Sequence, residues 1–192
     1  MNPAGMGSLL VVTGPPGAGK STLAEALALS MNPSVLVEGD AFFGFLRNGA
    51  IDPWLLEAND QNTVVTHAAG AAAGRFVRGG FHTVYDGVIG TWFLDEFLAA
   101  TGLTTLDYLV LLPPADICVK RVLTRKNHGF TNEAAARHMH DQFTRQPAED
   151  RHIVQVADRS PNVLAASVLD LRNRGDLRYP VRAAAADTVR RR

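Results

Sequence analysis

The run Gly14-Pro15-Pro16-Gly17-Ala18-Gly19-Lys20-Ser21 satisfies the pattern G-x-x-x-x-G-K-[ST] at every required position, and Thr22 follows it. Small residues let a backbone wrap a phosphate without Cβ clashes. The N–H groups of such a loop, and of the helix that follows it, point at the anion. Lys20 is then expected to reach the β- and γ-phosphates as a point charge, and Ser21 to offer its hydroxyl to Mg²⁺. Two carboxylates have the right setting for the other half of a phosphoryl transfer. Asp40 and Asp86 each stand just past a short apolar run. A carboxylate there can accept the proton of an attacking hydroxyl and orient it. Asp40 is the first candidate for that base. Asp86 is expected to hold the metal or to contact the acceptor, and the two could exchange roles. Glu38, two residues before Asp40, reads as structural.

These residues need elements to position them. Residues 8–13 are apolar and β-branched and read as a strand buried on both faces. The glycine-rich turn follows, and 20–30 reads as a helix. A second strand is expected over 35–38 and a third over 82–85, separated by a long Ala-rich helix over 60–78 that Gly79-Gly80 closes. A helix over 92–100, a fourth strand over 106–112, a helix from Pro113 to about Lys126, and a helix over 132–145 ended by Pro147 come next. A fifth strand covers 152–156. Ser160-Pro161 reads as an N-cap with proline at the first helical position, opening a helix to about Asn173 closed by Gly175. Strand and helix alternate five times, which predicts an α/β fold: a parallel sheet with helices on both faces. Ligands of such sheets bind beyond the carboxyl ends of the strands, where the loop at 14–21, Asp40 and Asp86 all fall.

The 192 residues suit one domain, expected over 1–175, with a basic tail over 176–192. Hydrophobic residues make up 46% and charged residues 20%, and the formal net charge is zero. That balance disfavours a protein that grips nucleic acid through its phosphates. No apolar run approaches the roughly 20 residues of a membrane span. The lone Cys118 cannot form an internal disulfide, and fits a reducing, cytoplasmic compartment as a buried thiol. His138 and His140, two apart on a helix, do not face one ligand. The expected partner is a small-molecule acceptor, with neither nucleic acid nor membrane; nothing in the sequence assigns an oligomeric state.

The chain resembles the nucleoside-monophosphate-kinase-like group of P-loop kinases, and within it gluconokinase-like and chloramphenicol-phosphotransferase-like proteins. The resemblance spans about residues 8–173. It rests on Gly14–Thr22, on Glu38-Gly39-Asp40, on Arg121 with Arg125-Lys126, His128 and Phe130, and on Gln142-Phe143 and Gln146-Pro147. It implies a three-layer P-loop NTPase fold with a five-stranded parallel sheet, a small helical lid over about 127–147, and transfer from ATP, with Mg²⁺, to a hydroxyl. It implies that Arg121 stacks on adenine and Arg125 reaches the phosphates, a division that suits the planar, forked guanidinium. Lys126, His128 and Arg137 fall in the implied lid. Arg47, Gln61 and Asn62 fall on the implied acceptor side. The chain departs from gluconokinases after the third strand. Where they carry a basic segment, residues 86–94 here are apolar and aromatic, which suits an apolar or partly aromatic acceptor better than gluconate. Trp92 of that stretch either lines the acceptor pocket or packs in the core.

Other uses of a phosphate loop fit less well. A GTPase needs a guanine-reading N-K-x-D motif, and none is present. A motor-type AAA ATPase needs a second domain and a third strand ending in paired acids. A nucleotide or nucleoside kinase needs arginines converging on an acceptor phosphate, and only Arg47, Arg75 and Arg78 precede the third strand. An ATP-binding regulatory switch would have no use for a lid or for Asp40.

Overall fold

The computed structural model describes residues 7–124, 130–155 and 159–180. The chain runs β1 (Ser8–Thr13), α1 (Lys20–Leu29), β2 (Ser34–Glu38), a short α2 (Gly39–Phe43), a 3₁₀ turn (Leu56–Ala58), α3 (Asn59–Arg78), β3 (His82–Asp86) and α4 (Thr91–Thr101). It continues with β4 (Thr105–Leu111), α5 (Ala115–Thr124), α6 (Glu133–Arg145), a second 3₁₀ turn (Asp150–His152), β5 (Ile153–Val154), α7 (Pro161–Arg174) and β6 (Arg178–Pro180).

Five strands pair in parallel in the order β2-β3-β1-β4-β5. Period-two alternation sends successive side chains to opposite faces, and each face has its own core. Leu10 and Val12 of β1, with Leu109 and Leu111 of β4, pack on Leu23 and Leu27 of α1 and on Leu164 and Val168 of α7. Leu9 and Val11, with Tyr85, Tyr108 and Val110, pack on Ala69 and Val77 of α3 and on Leu94 and Phe97 of α4. Fully burying a side chain of this size stabilises by roughly 1.5–3 kcal/mol, so the two faces together fix the strand register. This is the three-layer α/β arrangement read from the alternation.

The register decides which residues meet at the carboxyl edge. Val12 of β1 and Glu38 of β2 both pair with Asp86 of β3. The three strands therefore end level, and the segments that leave them emerge on one rim. Since β1 lies between β3 and β4, the chain switches direction across it, which is where a crevice opens in sheets of this kind.

Three boundaries differ from expectation. The fifth strand is shorter than 152–156, because His152 belongs to the preceding 3₁₀ turn. Residues 39–43 wind into α2 directly after β2. The domain does not stop at 175: β6 pairs antiparallel with the first half of β4, placing Thr105 opposite Pro180 and Asp107 opposite Arg178. The expected tail thus begins inside the sheet. Residues 181–192 lie outside the described part, as do Lys126 and His128. No described helix is long and apolar enough to cross a membrane.

Candidate functional site

The loop between β1 and α1 is held from beneath. Gly14 and Gly17 have φ of 140° and 81°, values that L side chains rarely adopt. A Cβ at Gly14 would run into the carbonyl of Leu111, and one at Gly17 into that of Cys118. The loop is seated on the ends of β4 and α5, and only glycine permits the approach. Cys118 is buried under it, its thiol pushed up by burial, so this is a packing thiol. Pro15, Pro16 and Ala18 are buried within the turn, and the Ala18 N–H donates to Pro15 O at 3.2 Å. The start of α1 carries no side-chain cap and no acidic residue in its first turn. Its leading N–H groups and the positive end of its dipole therefore face outward uncompensated, the condition for anion binding. Lys20 lies over this turn, with Nζ donating to Pro15 O at 3.2 Å.

Asp86 stands at the end of β3 beside this cradle. It is 8% exposed, and its Oδ1 is buried with no hydrogen-bond partner. Burial raises its carboxyl above the ordinary range; Lys20 and the Ser21 hydroxyl pull the other way, and Asp40 adds to the rise. An orphaned carboxylate oxygen next to a hydroxyl and below a phosphate cradle is a hard oxygen donor set of the kind Mg²⁺ takes. Ser21 and Asp86, the two residues expected at the metal, thus fit it. Among the described residues no group of three or more His, Cys, Asp or Glu side chains gathers to hold a metal without help from a bound phosphate.

The turn carrying Asp86 is rigid. The buried Thr13 hydroxyl accepts from Ile89 N at 2.8 Å, and the Tyr108 hydroxyl donates to Ile89 O at 2.8 Å. Asp40 lies exposed in the first turn of α2. Tyr85 sits between the two carboxylates: Cβ atoms on Gly39 or Gly87 would collide with its phenol. The phenol packs against the backbone next to Asp40 on one side and next to Asp86 on the other. Its ring lies 4.6 Å from Phe97. Burial, with Asp40 and Asp86 near, drives the phenol strongly upward, so it stays neutral. Neither Thr13 nor Tyr85 stands out in the sequence; only the strand register brings them here.

The remaining expected residues separate into those near the cradle and those elsewhere. Arg121 of α5 reaches back, its Nη1 donating to Gly17 O at 3.3 Å, so an exposed guanidinium lies along the loop. Arg125 lies outside the described residues. Arg137 of α6 donates to Asp116 at 3.0 Å and to Glu133 at 3.1 Å. It braces α6 against α5 instead of standing as a lid cation. Arg47 lies exposed in the segment after α2. Gln61 is spent on the backbone, and Asn62 in part, its Oδ1 being buried without a partner. Gln61 makes a two-point clamp on Ile51, to N at 2.8 Å and to O at 2.7 Å, and Asn62 Nδ2 donates to Pro53 O at 2.7 Å. Trp92 packs edge-on against Phe143 of α6 at 5.1 Å, joining the core between α4 and α6. Ile89 and Leu94 of the same apolar stretch are buried too. Much of the apolar run 86–94 therefore packs into the core, with Val88, Trp92 and Phe93 partly buried against it. Its apolarity, which suggested the acceptor, has a packing cause.

A family model described as an AAA domain matches residues 9–148, most of the chain. The chain belongs to that family. The two-domain motor that the sequence disfavours is not what the neighbours in fold resemble. No curated protein matches the sequence. Among solved structures, a sugar kinase from Janibacter sp. HTCC2649 superposes with a TM-score of 0.64 at 19% identity, covering 87% of this chain and 95% of that one. Shikimate kinase from Acinetobacter baumannii, in complex with shikimate, gives 0.61 at 19% identity, over 89% and 96%. APS kinase from Mycobacterium tuberculosis, in complex with AMPPNP and APS, gives 0.65 at 17% identity, over 88% and 99%. This AAA-domain protein thus shares the fold of these kinases over most of its length.

Proposed function

We propose that this protein is an ATP-dependent small-molecule kinase that transfers the γ-phosphoryl group to a hydroxyl of its acceptor. The observation that carries this reading is the buried, partnerless Asp86 Oδ1 beside an uncapped helix N-terminus, with Lys20 and Ser21 between them. The sugar and shikimate kinases that share the fold support an alcohol acceptor. A single buried cysteine and the use of ATP favour a cytoplasmic setting.

In this mechanism the N–H groups of 17–22 bind and orient the phosphates, and Lys20 neutralises charge on the transferring group. Ser21 and Asp86 would hold Mg²⁺, which would supply further charge neutralisation to the transferring phosphoryl group. Arg121, whose guanidinium lies along the loop, would cover the nucleotide. Asp40 accepts the acceptor's hydroxyl proton as that oxygen bonds to the γ-phosphorus. The bond to the β,γ-bridging oxygen breaks in the same displacement, and ADP departs with those electrons.

The test is product detection by mass. Incubation with ATP, Mg²⁺ and a panel of alcohols is expected to add a phosphoryl group to an acceptor. Asp40→Ala is expected to bind nucleotide with unchanged affinity and to lose transfer. Nucleotide-dependent binding of a protein partner, with no phosphorylated small product from any panel member, would sink the kinase reading.

A further inference from the structure

The chain has three tyrosines, and a buried tyrosine ordinarily gives its hydroxyl a partner. Tyr108 donates to Ile89 O at 2.8 Å, and Tyr179 donates to Asp95 Oδ1 at 2.9 Å. Tyr85 is the exception. It is 3% exposed and its ring packs on Phe97, yet its hydroxyl bonds to no described group. Nor is its oxygen among the described atoms that are sealed from solvent without a partner, which are Asn62 Oδ1, Asp86 Oδ1 and His152 Nε2. The ring is buried while the hydroxyl keeps a small opening.

The backbone on either side shows where that opening lies. A Cβ at Gly39 would collide with the phenol oxygen, and one at Gly87 would lie 2.8 Å from it. The oxygen therefore stands at the carboxyl rim, between the first residue of α2 and the residue after β3. Gly39 is followed by Asp40, and Gly87 is preceded by Asp86. Register produces this placement. Val37 pairs with Tyr85 and Glu38 with Asp86, so the glycines that follow β2 and β3 flank one ring. Of the two carboxylates acting on the phenol, Asp40 acts more strongly. Burial and both charges keep the phenol neutral, so it can donate a hydrogen bond but cannot serve as a base.

Asp40 has the converse need. It is exposed, and no described group donates to its carboxylate, so nothing fixes which oxygen faces an incoming hydroxyl. A base acts only when held within reach of the proton it takes. A donor without an acceptor and an acceptor without a donor thus share one rim.

We propose that Tyr85 is the positioning residue of the base: with nucleotide bound, its hydroxyl donates to one carboxylate oxygen of Asp40 and leaves the other to the acceptor's hydroxyl. This rests on the kinase reading and adds a residue to it. It also gives Gly39 a task, since a residue without Cβ lets the phenol reach the start of α2.

The test reads the hydroxyl directly and needs no acceptor. The full chain carries tyrosine labelled with ¹³C at Cζ, and the Tyr85 signal is assigned with Tyr85→Phe. In an equal mixture of H₂O and D₂O, a phenol held in a hydrogen bond exchanges slowly, and its Cζ line splits into protonated and deuterated components. With AMPPNP and Mg²⁺ bound, the Tyr85 line is expected to split in wild type and to collapse to one line in Asp40→Ala. Tyr108, whose bond to Ile89 lies in the core, is expected to be unaffected by that substitution. Asp40 is exposed, so its truncation leaves the fold intact, which a thermal melt checks. A single Tyr85 line in wild type would overturn the proposal, because the hydroxyl then meets only water. A split line that survives Asp40→Ala would overturn it as well, because the partner is then another group. AMPPNP binding is measured separately by calorimetry on wild type. Its absence would remove the kinase reading itself, whereas intact binding with either failing outcome would remove only the role of Tyr85.

Discussion

At the scale of single residues, the site sets two carboxylates against each other. Asp86 is buried and held above its ordinary range, while Asp40 stays exposed in the first turn of α2. Asp40→Asn is expected to lower turnover by about 10²–10⁴-fold, the usual worth of a positioned base, with nucleotide affinity intact by calorimetry. Asp86→Asn has the opposite balance. A folded-state carboxyl raised above its unfolded value binds its proton more readily when folded, so stability falls as pH rises between the two values. At pH 7 the ionised Asp86 is a cost. Its amide is therefore expected to melt at a higher temperature while losing the Mg²⁺ dependence of nucleotide binding; a lower Tm would show that the carboxylate is not strained by burial. Tyr85 links the pair. Gly39→Ala should cost about 1–3 kcal/mol through overpacking on the Tyr85 hydroxyl. In a urea-unfolding cycle, Tyr85→Phe should return a good part of that cost. The cradle, Asp40 and Asp86 were legible because each is a local pattern, a motif or an acid after a short apolar run. Tyr85 and Thr13 were not. Both read as ordinary strand residues, and they reach the site only because strands far apart in sequence end level.

At the scale of elements, the acceptor side is a loop made rigid by a helix. The clamp from Gln61 to both backbone groups of Ile51 joins α3 to the segment after α2. Gln61→Ala removes two hydrogen bonds, worth about 1 kcal/mol each. It should loosen the wall without touching the cradle. The expected signature is an acceptor KM raised several-fold with the KM for ATP unchanged; equal rises in both would mean that α3 had shifted as a whole. Gln61 and Asn62 read as acceptor-side residues, and the structure shows both bonded to the backbone of the segment before α3; a polar side chain at a helix start looks the same whether it meets ligand or backbone. The helix Thr91–Thr101 shows the same limit. An apolar, aromatic run is read equally as pocket or core, and the ring that Trp92 packs against, Phe143, lies far along the chain on α6. Arg137 likewise looked like lid charge until α5 supplied Asp116. Most other elements were readable within a residue or two, since caps such as Ser160-Pro161 and stops such as Gly175 are written locally.

At the scale of the whole molecule, the end of the sheet opposite the cradle is closed by charge and by β6. Asp107, 4% exposed, accepts from Arg172 of α7 at 3.2 Å and from Arg178 of β6 at 3.3 Å, and Arg172 also donates to Ser8 at 2.6 Å. A three-residue strand ending in proline leaves little pattern to read, and its arginine looks like part of a basic tail. Its anchor is Leu177, fully buried in the core. Ending the chain at Gly175 rather than at Pro180 is thus expected to cost upward of about 3 kcal/mol, the scale of deleting a buried leucine, by urea unfolding. Acid should act on the same corner. His152 is buried between the rings of Tyr108 and Tyr179, its Nδ1 3.0 Å from Tyr108 O and its Nε2 without a partner. Burial lowers its affinity for a proton in the fold, against the smaller opposing pull of the Tyr108 carbonyl. His82, beside Ser8 and Arg172, is lowered too. Below the ordinary histidine value near 6.5 the unfolded chain takes up protons that the folded chain refuses. Stability present above that pH is then lost as pH falls toward the depressed folded values. His152→Phe keeps a ring in the slot and removes one titration. Its unfolding free energy is expected to decline less than wild type between pH 7 and 5, with His82 contributing to the decline that remains. Parallel declines would mean that protonation reaches His152 without opening the fold. In that case the seam between β4 and β6 is looser than its contacts indicate.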